Sequence, residues 1–442
     1  MRILVVAYEF PPSPSPQSLR WAYLAREMAA KGHEVHVLAP DLPGDGAGLP
    51  QLGPGVQVHR TTAGPIIGFV ARRARHTAGR QPPALEPGRV DEAGLQERAL
   101  RKPVARLNWK GRLFQRVKVL AGLLRYPDIR GEWTAVARRA LPGLLERLHP
   151  AVVVTSHEPA STLALGLQAR RLGIPWVADL GDPVLATYTP WRWRSRAHAL
   201  ERRVWAGADA VTVTTDATRD LLRQRHGLPR GRCATMPQGY DASVGQAGNP
   251  FADLFDPSRL ELLYTGSFYR FRKPEALVDA ILATPGVRLS IASMQVPASV
   301  AALAEEHPDR LRLLGFVRHV DAVLLQRAAD VLVNIANSDP AQVPGKFHEY
   351  LGSGRPILHL GHHAGEDDHA AGLLRRAGAG WVCENTGSAV ASALVALRDA
   401  RRTGCLGADL ARNDGALQQY RWDHVADTYV DLLVEVVVRA RP

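Results

Sequence analysis

Cysteine is scarce in this chain: its 442 residues hold three, Cys233, Cys383 and Cys405, far apart and odd in number. That pattern argues against a disulfide framework and for a reducing compartment. Long apolar runs are lacking too, and no stretch approaches the roughly twenty residues needed to cross a bilayer. The opening residues, MRILVVAYEF, lack the apolar core and cleavage site of a secretory leader. A cytoplasmic chain is therefore expected, peripheral to a membrane at most. Acidic residues fall short of basic ones, 43 against 55, which leaves a formal charge of +12. Such a charge suits an anionic membrane, an anionic small molecule or a nucleic acid alike. No recognisable DNA- or RNA-binding motif accompanies it, so no nucleic-acid partner is expected. The His- and acid-rich stretch 361–369 lacks zinc spacing and reads as a polar loop, and no metal site is expected.

What is present is an open α/β pattern. Apolar residues make up 46% of the chain and charged residues 22%, which are globular values, and the length allows two or more domains with full cores. Residues 2–7 read as a buried strand and 18–31 as a helix with Leu19, Tyr23, Leu24 and Met28 on one face. Residues 33–38 return as a strand, completing a βαβ unit that seeds a doubly wound parallel sheet. Further strands are read at 151–155, 175–179 and 210–214. Ligands gather at the carboxyl ends of strands in such sheets, and His157, Asp179 and Asp182 stand there. Arg20, on the first turn of the helix, reads either as an anion contact or as a solvated charge.

A second sheet begins with strand 260–265, after a stretch at 242–257 with the Gly, Pro, Ser and Asp content of a linker. That strand runs into Gly266-Ser-Phe-Tyr-Arg-Phe-Arg-Lys273, a glycine turn followed by the cations Arg270, Arg272 and Lys273. An apolar strand at 329–335 precedes Val343-Pro-Gly-Lys-Phe-His-Glu-Tyr-Leu351. Pro344 and Gly345 turn the chain, and a helix starting near Lys346 aims free N–H groups and its positive end beyond the sheet. Lys346 adds a cation for a phosphate oxygen, and Glu349, one turn on, can accept hydrogen bonds from a ribose diol. Strand, loop and helix together make an anion site. The competing reading is a buried helix start with Glu349 as an ordinary polar residue.

These segments resemble the family 4 glycosyltransferases, retaining enzymes of the GT-B fold. The resemblance implies two Rossmann-like, doubly wound α/β domains facing a cleft. An acceptor-side domain is expected over 1–245, with a basic helical insertion at about 71–130, and a nucleotide-sugar-binding domain over 258–415. Residues 416–442 are expected to carry a helix, opening at Tyr420-Arg-Trp422, that crosses back onto the first domain. The implied reaction is transfer from a nucleoside-diphosphate sugar to a hydroxyl acceptor, on a glycan, a lipid-linked molecule or a small molecule. The leaving phosphate would assist from the front face, with no further cofactor. The chain has no Asp-X-Asp, which agrees with a metal-independent enzyme of this kind.

The resemblance also distributes roles. His157, in His-Glu-Pro, falls near the donor β-phosphate and the reaction centre, and Asp182 is grouped with it, although Asp-Pro is also turn chemistry. Gly266, Ser267, Arg270, Arg272, Lys273, Gly345 and Lys346 fall to the diphosphate, whose charge grows as the glycosidic bond breaks. Val317, Phe347 and Glu349 fall to the ribose and base. There are departures. Serines and prolines at 11–16 replace paired glycines, Gln238 replaces Asn in Met236-Pro-Gln-Gly-Tyr-Asp241, and Ala341 stands where a first glutamate is common, with Asp339 nearby as a substitute. A sugar-nucleotide epimerase of the same fold and a non-catalytic binding subunit are the alternatives.

Residues 101–126 hold eight Lys or Arg and no acid. Leu113, Phe114, Val117, Leu120 and Leu124 recur there at helical spacing. The segment reads either as a helix packed on the sheet with its charges outward, or as one lying on an anionic membrane surface.

Overall fold

The computed structural model describes residues 1–44, 46, 48–69, 129–244, 248–268, 272–337, 339–340, 342–362 and 368–440. Residues 71–128 of the insertion read at about 71–130, with its basic segment, and the positions Arg270 and Ala341 lie outside the described residues. The chain divides into two compact units. The first takes the described residues up to Gln238 together with those from Trp422 on; the second is Gly239–Arg421.

The first unit is built on seven parallel strands: β1 (Arg2–Val6), β2 (Glu34–Pro40), β3 (Val56–Thr61), β4 (Val152–Ser156), β5 (Trp176–Asp179), β6 (Ala210–Val213) and β7 (Arg232–Thr235). Their order is β3-β2-β1-β4-β5-β6-β7. Helix α1 (Pro16–Ala30) begins where the Ser15 side chain accepts from the Ser18 N–H, an N-cap that satisfies one of the first turn's free donors. It is followed by α2 (Glu132–Leu148), α3 (Leu163–Arg171), α4 (Arg194–Gly207) and α5 (Asp216–His226).

Side chains alternate across the sheet, as strand geometry requires. Leu4, Val6, Val153 and Trp176 point into one core with α2, α3 and α4, while Ile3, Val5, Val152 and Val154 point into the other. Both faces are covered, which explains the near-continuous apolar strands. The second face also takes the last helix, Trp422–Ala440. Tyr23 of α1 stacks on Trp422 at 5.3 Å, and Trp21 meets Tyr429 edge-on at 5.7 Å. This is why α1 is buried on more sides than a single apolar stripe predicts.

The second unit repeats the plan with six parallel strands: β8 (Leu260–Thr265), β9 (Val287–Ala292), β10 (Leu311–Leu313), β11 (Val331–Ile335), β12 (Ile357–Gly361) and β13 (Gly380–Glu384). Their order is β10-β9-β8-β11-β12-β13. Its main helices are α6 (Glu275–Ala283), α7 (Ala298–Glu306), α8 (His319–Ala328), α9 (Gly345–Gly352), α10 (His369–Ala377) and α11 (Gly387–Arg402), and the final helix of the chain is α12 (Trp422–Ala440). The stretch read as a linker is partly folded into this unit. Phe251 and Phe255 are buried in its core, so two aromatic anchors override the loop-like composition around them. Entry and exit of the unit are tied together, the Tyr240 N–H donating to the Tyr420 carbonyl at 2.9 Å.

In each sheet the strand order reverses beside the first strand, between β1 and β4 and between β8 and β11. At such switch points the loops diverge and leave a crevice for ligands. His157 follows β4, and the Gly266 turn and α9 follow β8 and β11.

Candidate active site

The second unit's switch point gathers cations around a glycine turn. Gly266 has φ +99°, and a Cβ there would stand 3.3 Å from Lys346 Cδ, so the turn needs glycine both for its backbone and for the lysine's approach. Lys346, on the first turn of α9, donates to the Thr265 carbonyl at 2.6 Å and lies 3.4 Å from the centroid of the Tyr264 ring. No carboxylate is within ion-pair distance of it among the described residues. Removal from water and then repulsion from Arg272 hold the ammonium well below the usual lysine range, with Glu349 opposing. An uncompensated cation of this kind gains from an incoming anion.

Arg272 is buried and held by the Asn337 side chain, at 2.9 and 3.2 Å, and by the Ser267 carbonyl at 3.1 Å. Gly266 and Ser267 are exposed at the turn. Lys273 is exposed, and its carbonyl accepts from Asn385. Gly345 opens α9 after Pro344, so the helix presents its first N–H groups beside Lys346.

Glu349, one turn into α9, remains partly accessible. His319 Nδ1 lies 3.6 Å from one of its oxygens and Gln326 Nε2 3.5 Å from the other. Behind it, the Thr265 N–H donates to the Tyr350 hydroxyl at 2.8 Å, and burial raises that phenol's pKa. Val317 is half-buried at the end of the β10 loop. Phe347 is fully buried, its ring against His359, so its side chain is a core element and offers no surface to a ribose or base. Its place on α9 points inward because it follows Lys346 by one residue, about 100° around the helix.

Asn337, His319 and Gln326 were not singled out from the sequence. Asn337 follows β11 as His157 follows β4, and the strand-end rule would have found it. His319 and Gln326 sit on α8 and meet Glu349 only through tertiary packing, which leaves no local signal.

In the first unit His157 is buried, with its backbone N–H donating to the Asp179 carbonyl at 2.8 Å. Its Nδ1 is buried without a hydrogen-bond partner. Burial lowers its pKa, while Asp182, Glu201, Asp179 and a hydrogen bond with the Asp182 backbone pull the other way. Asp182 is half-buried near the exposed Tyr188, whose hydroxyl is 3.4 Å away.

Arg20 departs from both of its sequence readings. It is fully buried and grips Asp179 through two bonds of 3.1 and 3.2 Å. It also donates to the carbonyls of Met236 and Pro237, and Thr212 adds a 2.7 Å bond to the same carboxylate. Asp179 is thus consumed by the fold.

Two doubly wound parallel-sheet units with polar clusters at their switch points define a GT-B glycosyltransferase fold. The model of the glycosyl transferase 4-like domain matches residues 17–239, half of the chain, and the protein belongs to that family. No curated protein sequence matches it significantly. Among solved structures it is similar to sucrose-phosphate synthase from Thermosynechococcus elongatus, with a TM-score of 0.67 and 15% identity over 99% of this chain and 100% of that one. It is also similar to α,α-trehalose 6-phosphate synthase from Burkholderia multivorans, with a TM-score of 0.62 and 14% identity over the whole of both chains. Anabaena HepE in complex with UDP superposes at 0.61 with 13% identity, over 98% of this chain and 100% of that one. UDP-N-acetylglucosamine 2-epimerases share the fold at a lower TM-score of 0.51.

Proposed function

We propose that the protein transfers a hexose from a nucleoside-diphosphate sugar to a hydroxyl acceptor, with retention at the anomeric carbon. The observation that carries this reading is the uncompensated Lys346 at the second switch point, beside Gly266 and Arg272. A diphosphate supplies the negative charge that this cluster lacks, and its charge increases as the glycosidic bond breaks, so the cations act most strongly at the transition state. Lys346, Arg272, Lys273 and the N–H groups at Gly345 are assigned to the diphosphate. Glu349 is assigned to the ribose, braced by His319 and Gln326. UDP is the favoured nucleotide, since HepE is described with UDP and with UDP-glucose.

In this reading the first unit receives the acceptor, a glycan or lipid-linked hydroxyl, with work near the anionic face of a membrane. His157, held neutral by burial, is assigned to the reaction centre as a hydrogen-bonding group, and Asp182 supports it. The cations of the second unit supply the counter-charge that a divalent ion supplies elsewhere, so transfer is expected without added metal.

Calorimetric titration with UDP, GDP and ADP, with and without Mg²⁺, tests the reading. One nucleotide should bind saturably without metal, and Glu349→Ala should weaken it about tenfold, the scale of one lost hydrogen-bonding carboxylate. Failure of all three to bind would remove the donor assignment and leave a non-catalytic binding subunit. The epimerase likeness favours one alternative, conversion of a UDP-sugar with no acceptor. Product analysis in the absence of acceptor separates it, because an epimerase accumulates a second UDP-sugar and a transferase does not.

A further inference from the structure

Helix α4 and the turn before it form a surface that neither the donor site nor the first unit's core uses. Trp193, Ala197, Glu201, Val204 and Trp205 face inward and are buried. The opposite face carries Arg192, Arg196, Arg202 and Arg203, within an arc of about 120° at 100° per residue. Small exposed residues, Ser195, Ala199 and Ala206, lie between them. Arg194 is exposed at the flank, and Trp191, at the head of the turn, is 85% exposed.

Among the described residues, the charge of this face is not balanced by an acid on the same segment. The one acid in residues 184–208 is Glu201, which is fully buried and paired with Arg225 at 2.6 Å and His226 at 2.7 Å. Among the described residues, none of the five arginines has a carboxylate partner. Arg192 and Arg196 instead lie over the Trp193 ring, at 5.6 and 5.0 Å, which steadies them at the surface. Beside Arg196 and Arg203 a recess of about 410 Å³ opens toward Gly131, Thr134 and Ser161.

We propose that this face docks on an anionic phospholipid bilayer, its arginines on headgroup phosphates and Trp191 in the interfacial layer. Charge complementarity selects an anionic partner. A protruding indole beside arginines, on a helix side otherwise made of small residues, suits a flat interface that accepts both a ring and a row of cations. The assignment deepens the membrane-side placement in the proposed function and rests on it only there, since it concerns residues outside the donor site.

The test is vesicle cosedimentation of the full chain, with phosphatidylcholine alone and with 30% phosphatidylglycerol. Binding is expected to the anionic vesicles only, and to be released by 0.5 M NaCl. The pair Arg196→Gln/Arg203→Gln should lower partitioning roughly 30-fold, from the loss of two surface cations. Trp191→Ala should lower it about tenfold, as expected for an interfacial anchor. Arg202→Gln, at an exposed position, gives a smaller loss and covers the case in which the pair fails to fold. Titration with UDP should be unchanged in all of them, which separates failure here from failure of the donor assignment. The proposal is overturned by equal binding to neutral vesicles. It is also overturned if the substitutions have no effect, which would shift the contact away from this face. Stronger binding to random DNA duplex, lost in the same variants, would reassign the face to nucleic acid.

Discussion

Arg20 and Lys346 occupy related places, each on the helix that follows a switch-point strand of its own sheet. In the first unit the cation is sealed in: Asp179, Thr212 and two carbonyls consume Arg20, and nothing of it reaches solvent. In the second unit Lys346 rests on a carbonyl and an aromatic ring, and its pKa is depressed by burial and by the neighbouring Arg272. A shared strand order therefore does not distribute function equally. The first unit uses its buried cation to hold strands β5 and β6 and the 236–237 segment together, and in the proposed reading the second keeps its cation for a ligand.

The strongest way to break this comparison is Arg20→Met. It leaves Asp179 buried without its partner, and a loss of about 3–5 kcal/mol is expected in urea or thermal unfolding. Arg20→Met/Asp179→Asn should recover part of that loss, while UDP affinity measured below the transition stays within twofold of wild type. Lys346→Met should do the reverse. Folding stability is expected to hold or rise, because a desolvated cation is removed. UDP binding should weaken by about 2–3 kcal/mol, some 30- to 160-fold, for a lost charge-assisted contact. If Lys346→Met unfolds the protein and Arg20→Met abolishes UDP binding, the assignments are inverted. Gly266→Ala sharpens the point at a smaller scale. A Cβ at φ +99° costs about 1–2 kcal/mol and presses on Lys346 Cδ, so a modest fall in stability should accompany roughly tenfold weaker UDP binding in calorimetry.

Much of this was legible in the sequence where the signal is local. The first βαβ unit, the strand before Gly266 and the helix after Pro344 have observed bounds within about two residues of those read from periodicity and turn chemistry. The resemblance gave Gly266 and Lys346 separately to the diphosphate, while their close approach depends on β8 and β11 pairing in the sheet. What escaped were residues defined by tertiary partners. Arg20 carries no local mark that distinguishes a buried ion pair from a surface charge, because Asp179 lies 159 residues away. Phe347 falls to the ribose and base in the sequence reading, whereas helical rotation sends it into the core. The aromatic anchors Phe251 and Phe255 were hidden by the glycines and prolines around them.

The finest distinction between the units is their response to acid, and His157 carries it. Burial holds its folded-state pKa below the ordinary value near 6.5, against the pull of Asp182, Glu201 and Asp179. Above about pH 6.5 the imidazole is neutral in both the folded and the unfolded chain, and it makes no pH-dependent contribution. Below that value the unfolded chain takes up a proton that the folded one resists, so stability falls with pH, by at most about 1.4 kcal/mol per pH unit from a single proton. The fall ends once pH passes below the folded-state pKa. His33 and His59 shift in the same direction, so the measurement must be a difference. Unfolding free energies of wild type and His157→Asn, followed in urea from pH 7.5 to 5, should diverge in favour of the variant as pH drops. Parallel curves would mean that His157 takes up its proton equally in the folded and the unfolded chain, and curves diverging the other way that it is charged when folded; either would remove the burial-enforced neutral role assigned to it.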